Sequence, residues 1–370
     1  MRSPIASKSI VQIERFGDHR NTFGFIRLLL AALVIVSHTP ELMDGNRSRE
    51  ILTRLFGTMS FGEVAVDGFF IVSGYLIFGS FCKTPLASAF LIKRIARIYP
   101  AFILASLVCV YVVAPIAGAG IRDMKSAIFP SIYNMFTLSV PVVANVFNGT
   151  PYTALDQAMW TIFHEFHCYI LVLILGITGL IGRPWMILSA AVGCLMGNEI
   201  LMAHGYNSNS LVRFTGIYLA GGLFFCWRDH IRFTKLGIWF ASASLLGLMF
   251  SKPLAEPAFA LFGGYLLLSI AFLGAGWRIA GINNRSDISY GVYLYAWPIE
   301  KLLLWYWPNV SPWFAGIATF LAACGCGWLS WHGVEKRVMR WAENAERLPA
   351  IEAALIKSLR GKFAALGQTT

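Results

Sequence analysis

The side chains able to do chemistry in this sequence are the few ionisable ones embedded in long apolar runs. Arg27 and His38 share the run Ile26-Arg-Leu-Leu-Leu-Ala-Ala-Leu-Val-Ile-Val-Ser-His38. Glu63 and Asp67 occupy a second run, His164 and Glu165 another, and Glu300 and Lys301 one more. An ionisable group in hydrocarbon is costly and is a functional candidate by default. A histidine beside a carboxylate in an apolar interior is the minimum apparatus for general acid–base work, the carboxylate fixing the ring tautomer. Isolated histidines such as His167, His204 and His332 read more simply as satisfied structural residues. His38 differs because of its company. No metal site is expected, because His164-x-x-His167 gives no clean helical face and has no further ligands. The seven cysteines lie in or beside apolar runs, so no disulfide framework is expected. Cys324-Gly-Cys326 sits in a small-residue stretch that reads as close helix packing.

Membrane helices must position these groups. Hydrophobic residues make up 57% of the 370-residue chain and charged residues 13%, against roughly 25% charged in soluble domains. The mean hydropathy is +0.62. Such a composition excludes a soluble globular enzyme, a disordered chain and a nucleic-acid-binding module. A β-barrel would show short alternating segments. Here the apolar stretches are of helix-spanning length: 23–42, 61–82, 100–120, 157–180, 185–203, 211–228, 235–250, 255–274, 287–306 and 313–331. Of the 30 Lys and Arg residues, 21 fall on one alternating set of connections and termini, 6 on the other, and Arg27, Arg213 and Lys301 within spans. The positive-inside rule then predicts an all-α, polytopic bundle of about ten transmembrane helices with both termini cytoplasmic, in the cell (inner) membrane.

On this reading residues 1–22 are a cytoplasmic arm, 23–331 the membrane domain and 332–370 an amphipathic tail on the inner interface. The basic arm before the first span lacks a cleavage site, so that span is kept as a helix. No internal repeat is visible. The segment 121–156 faces outward and is long enough for a lid. Arg27 falls near the cytoplasmic face, with His38 about 16 Å higher at about 1.5 Å per residue. Asp67, His164 and Glu165 fall in outer halves of their spans, and Glu300 and Lys301 toward the outer end of the ninth. Arg94 and Arg97 close the basic segment 83–99 at the inner surface, on one face if helical.

Five motifs now stand in order: Arg27-x10-His38; Val66-Asp-Gly-Phe-Phe-Ile-Val-Ser-Gly-Tyr-Leu-Ile77; Lys93-Arg-Ile-Ala-Arg-Ile-Tyr-Pro100; Trp160-Thr-Ile-Phe-His-Glu-Phe-His-Cys-Tyr169; and Ser289-Tyr-Gly-Val-Tyr-Leu-Tyr-Ala-Trp-Pro298. In order and spacing they resemble the acyltransferase-3 family of integral-membrane acyltransferases, over about residues 23–340. Members acylate extracytoplasmic glycans such as lipopolysaccharide, exopolysaccharide and lipo-oligosaccharide signals. The last motif departs from the pattern of many members, which carry His where this chain has Ala296, so more of the chemistry falls on His38. The hydrolase-like C-terminal domain of some relatives is not expected in a tail of about 39 residues.

The resemblance implies an O-acyltransferase, with acetyl the expected group. Arg94 and Arg97 would clamp the phosphates of cytoplasmic acyl-CoA through their planar donors, with Arg27 reaching a phosphate or pantetheine amide. The thioester arm would thread outward to His38, acting as general base or transient acyl carrier, with Glu165, or failing it Asp67, orienting and charge-balancing the ring. Trp160 would serve as sugar platform or interface belt. Tyr290 and Tyr293 would line the tunnel or be simple hydrogen-bonded hydroxyls. Gly68 and Gly74 permit close approach of a helix or an acyl chain. No permanently bound cofactor is implied. The partners are acyl-CoA as donor substrate, an outer glycan, the bilayer and polysaccharide-synthesis proteins, with no nucleic acid. A transporter exporting a lipid-linked glycan or small solute is the alternative. A non-catalytic scaffold would leave His38 and Glu165 without purpose.

Overall fold

A computed structural model describes residues 21–284 and 286–344. The arm, Arg285 and the tail beyond Asn344 lie outside the described residues.

Every one of the ten apolar stretches is helical, and the described residues contain no strand. In chain order the helices are α1 (Phe23–Asp44), α2 (Ile51–Phe56), α3 (Phe61–Lys83), α4 (Ala87–Ile116), α5 (Ile121–Ser126), α6 (Ile128–Thr137), α7 (Trp160–Ile177), α8 (Pro184–Ala203), α9 (Ser210–Cys226), α10 (Lys235–Leu248), α11 (Lys252–Gly276), α12 (Ser289–Tyr306) and α13 (Pro312–Glu343). Seven of them, α1, α3, α4, α7, α8, α11 and α13, are long and apolar enough to cross a membrane; α9 and α10 are apolar but shorter. The remaining long helix, α12, carries Tyr293, Tyr295, Glu300 and Lys301 into the protein interior.

Local rules start and pack these helices. Ser60 caps α3: its hydroxyl accepts from the Glu63 amide at 3.2 Å, and Glu63 accepts from the Ser60 amide at 2.7 Å. This capping box gives Glu63 a structural role. At the crossing of α3 with α9, a Cβ on Gly74 would meet the Tyr218 carbonyl oxygen at 2.2 Å, and one on Gly221 would meet that of Ile71 at 2.2 Å. Backbone therefore touches backbone there. On α13 the close approach falls at Gly327, against Gly291 of α12, whereas a Cβ on Gly325, between the two cysteines, would meet nothing within 4 Å.

Two boundaries differ from expectation, and the course of one connecting segment adds to it. The third long helix starts at Ala87, so Lys93, Arg94 and Arg97 belong to α4 and not to a connecting segment. Hydropathy misses these turns because they are amphipathic: the charged residues line a cavity and are only partly exposed. The expected boundary at 331/332 lies inside α13, which passes through a π-turn at Trp331–Glu335. The described part of the tail packs on α4, and Met339, Ala342 and Glu343 line the same cavity. Lastly, the segment read as an outward lid folds back on the bundle. Phe136 at the end of α6 accepts from the Tyr99 hydroxyl at 3.0 Å, well before α4 ends, and the Phe147 amide donates to Ala117 at 3.0 Å on the return. Phe129, Tyr133 and Phe136 are exposed along α6, as befits a helix facing an apolar medium.

Candidate active site

A cavity of about 510 Å³ lies between α1, α3, α4, α7, α12 and α13. Six of the nine site residues named from sequence line it: Arg27, Arg94, Arg97, Glu165, Tyr290 and Tyr293. Arg27 and Arg97 converge on Asp287, which precedes α12. Arg27 donates to Asp287 Oδ2, and Arg97 Nη2 donates to the same oxygen at 2.6 Å. Glu335 on α13 lies 3.8 Å from Arg97. The guanidinium of Arg97 also stands over the Tyr290 and Trp331 rings, 5.6 Å from each centroid. Arg94 is less committed. It donates to Ser80 Oγ at a long 3.4 Å, and its Nε is buried without a partner. Among the described residues Arg27, Lys93, Arg94 and Arg97 outnumber Asp287, Glu335 and Glu343 by one charge at this end of the cavity, and Arg94 has no carboxylate partner.

Farther along, Glu165 accepts from the Tyr169 hydroxyl at 2.6 Å and from Ser73 at 3.3 Å. The Tyr293 hydroxyl sits 2.7 Å from Thr161 Oγ1 and 2.7 Å from the Ala158 carbonyl oxygen, and Phe69 meets the Tyr293 ring edge-on. Tyr290 donates to Ile98 O at 3.3 Å. Both tyrosines are thus cavity walls and hydrogen-bonded hydroxyls at once.

His38 is not among the lining residues. It lies beyond Tyr293, its ring edge-on to Trp297 at 4.9 Å, with Trp297 one turn after Tyr293 on α12. Its Nδ1 is 3.0 Å from Glu41 Oε2. Glu41 also accepts from the Tyr152 hydroxyl at 2.9 Å and from Arg47 Nε at 3.3 Å. Three donors on one carboxyl call for the carboxylate form, so Nδ1 carries the proton and Nε2 is left for proton transfer. Tyr152 lies outside the helices; burial, and then its bond to Glu41, raise its hydroxyl above the ordinary tyrosine value, so it stays protonated and donating.

The carboxylate on His38 is therefore Glu41, and neither Glu165 nor Asp67 orients the ring. Asp67 is fully buried, both its oxygens taken by Arg213 Nη2 at 2.7 and 2.8 Å, and Arg213 Nε donates to Glu256 at 2.6 Å. A buried carboxylate takes the cation within reach, which for Asp67 is Arg213 of α9. Trp160 is 38% exposed and packs against His164 and Phe214, away from the cavity. Sequence reasoning missed Glu41, Tyr152 and Asp287. The spacing His38-x-x-Glu41, one helical turn, was the available signal for the first.

Helices apolar enough to cross a bilayer, a cavity with guanidiniums at one end and a histidine–carboxylate pair past the other define a multi-pass membrane enzyme. The family description "Acyltransferase domain" matches residues 21–331, and the chain belongs to this family, acyltransferase-3. It is thus an acyl-transferring enzyme. Among curated proteins it is 25% identical over 349 residues to "O-acetyl transferase" of Shigella phage Sf6, covering 86% of this chain and 96% of the relative. It is also 25% identical over 371 residues to "Nodulation protein 10" of Rhizobium leguminosarum bv. viciae, covering 88% and 95%. No solved structure matches.

Proposed function

We propose that this enzyme is an O-acetyltransferase that takes acetyl from cytoplasmic acetyl-CoA and delivers it to a hydroxyl of an extracytoplasmic glycan. The carrying observation is the layout of one cavity. Arg27, Arg94 and Arg97 line one end, Tyr293 lines the other, and one turn past Tyr293 on α12 Trp297 touches His38. The arginine end suits the phosphates of the nucleotide portion, Arg94 offering the most available donors. The slender pantetheine arm then follows the cavity past Glu165 toward Tyr293. The positive-inside reading, with ten spans and both termini cytoplasmic, supports arginines at the inner face and His38 in the outer half.

In this reading His38 Nε2 accepts the proton of the sugar hydroxyl as its oxygen attacks the thioester carbonyl. The tetrahedral adduct expels the CoA thiolate by breaking the C–S bond, and the imidazolium returns the proton so that CoA leaves as thiol. Glu41 holds Nδ1–H and offsets the transient positive charge. The transport alternative has no observation in its favour, since family membership already makes the chain an acyl-transferring enzyme. Mass spectrometry of surface glycans provides the test. Cells producing the chain should carry an acetyl mass that is missing both without it and with His38→Ala at matched membrane level. Normal acetylation in the His38→Ala cells would discard the proposed chemistry.

A further inference from the structure

The segment from Thr150 to Met159 is an irregular strap between α6 and α7, and α12 holds it at three points. Tyr293 donates to Ala158 O at 2.7 Å, Trp297 Nε1 to Ala154 O at 3.4 Å, and Lys301 Nζ to Thr150 Oγ1 at 2.8 Å. The donors recur every four residues, one stripe of the helix. Their acceptors recur every four in the opposite direction, so strap and helix run antiparallel. Lys301 is 1% exposed; its ammonium, among the described residues, meets the Thr150 hydroxyl and the face of Phe147 at 4.9 Å, with no carboxylate in ion-pair range. A cation buried with so little compensation is costly. Its contacts are to the strap and the turn entering it. Thr150 in turn donates locally, its hydroxyl 2.8 Å from Phe147 O in the entering turn and 2.8 Å from Tyr152 O in the strap. The residue so fixed is Tyr152, whose hydroxyl reaches Glu41 and whose ring lies edge-on to Trp297 at 6.0 Å.

We propose that the strap is a positioning element of the reaction: Lys301 and Thr150 anchor it so that Tyr152 holds Glu41, and through Glu41 the His38 ring, in register. The proposal rests on the acetyl-transfer reading and adds two roles to it. Tyr152 is a positioning residue that acts through Glu41, and Lys301 is a positioning residue that acts through Thr150. Neither touches the donor cavity, so their loss should be felt in turnover and not in donor binding.

The test uses the full chain in nanodiscs, with acetyl transfer to glycan followed at varied acetyl-CoA. Tyr152→Phe and Thr150→Val should each lower kcat roughly tenfold, the size of one hydrogen bond to a charged group or its anchor. KM for acetyl-CoA should stay within about twofold, since no donor contact is lost. Thr150→Ser keeps the hydroxyl and should recover most of the rate, which separates anchoring from a packing defect. Transfer by the unaltered chain with normal kcat in Tyr152→Phe and Thr150→Val overturns the strap's role while leaving the acetyl-transfer reading intact. A raised KM at unchanged kcat overturns it too, placing the strap on the donor path. Absence of transfer by the unaltered chain sinks the underlying reading and the strap with it.

Discussion

A single histidine carries the proposed chemistry, and its setting separates the carboxylate that holds it from two that do not. Glu41 is hydrogen-bonded to His38, Glu165 to Tyr169 and Ser73, and Asp67 to Arg213. Only the first can hold the ring. Glu41→Gln keeps the shape but removes the charge that stabilises an imidazolium, so kcat should fall roughly a hundredfold or more. Glu165→Gln leaves that pair intact and should cost less than about tenfold, through weaker packing of the cavity wall. Steady-state transfer rates of both variants check this; a larger loss in Glu165→Gln would return the orienting role to that residue. The histidine was legible from its apolar run, whereas its partner was not. A search for a carboxylate on another helix passes over one that lies a turn away on the same helix. The long apolar runs advertise charge inside them, and Glu41 stands past Pro40 where the run is already ending.

Among the elements, α4 shows where hydropathy and structure part. Its first turns bear Lys93, Arg94 and Arg97 and read as a loop, yet they form a helix whose charged face lines the cavity. The arginine spacing was legible as a shared face, while the burial of that face was not, because the partners come from distant places: Asp287 from the segment before α12 and Glu335 from α13. These partners predict a division of labour. Asp287→Asn takes the carboxylate from Arg27 and leaves Arg97 only Glu335 at 3.8 Å, and should lower unfolding stability by about 2 kcal/mol, less than the cost of breaking a fully buried ion pair. Arg94→Gln should leave the thermal midpoint nearly unchanged and weaken CoA binding roughly tenfold, as expected for one lost charge-assisted hydrogen bond. Arg94→Lys should restore part of that affinity, a point charge lacking the planar fork. Thermal melts and calorimetric titration with CoA on the same preparations separate the two effects. Weaker CoA binding confined to Asp287→Asn would move the donor contact from Arg94 to the paired arginines.

At the scale of the whole molecule, charge and cavity share one direction. Arg27 starts α1 and His38 stands eleven residues on, so a single helix links the guanidinium end of the cavity to the histidine beyond its other end. The distribution of basic residues in the connecting segments, read by the positive-inside rule, predicts that the first end faces the cytoplasm. Donor and acceptor should then meet inside the protein after entering from opposite faces, with Tyr293 walling the cavity on the histidine side. In sealed proteoliposomes of uniform orientation, acetyl-CoA supplied at the face bearing the arginines should acetylate glycan held only at the opposite face. Free CoA should appear on the donor side alone. Turnover that required both substrates at one face would refute the two-sided route while leaving the histidine chemistry standing, because the His38–Glu41 pair works the same way whichever side its alcohol comes from.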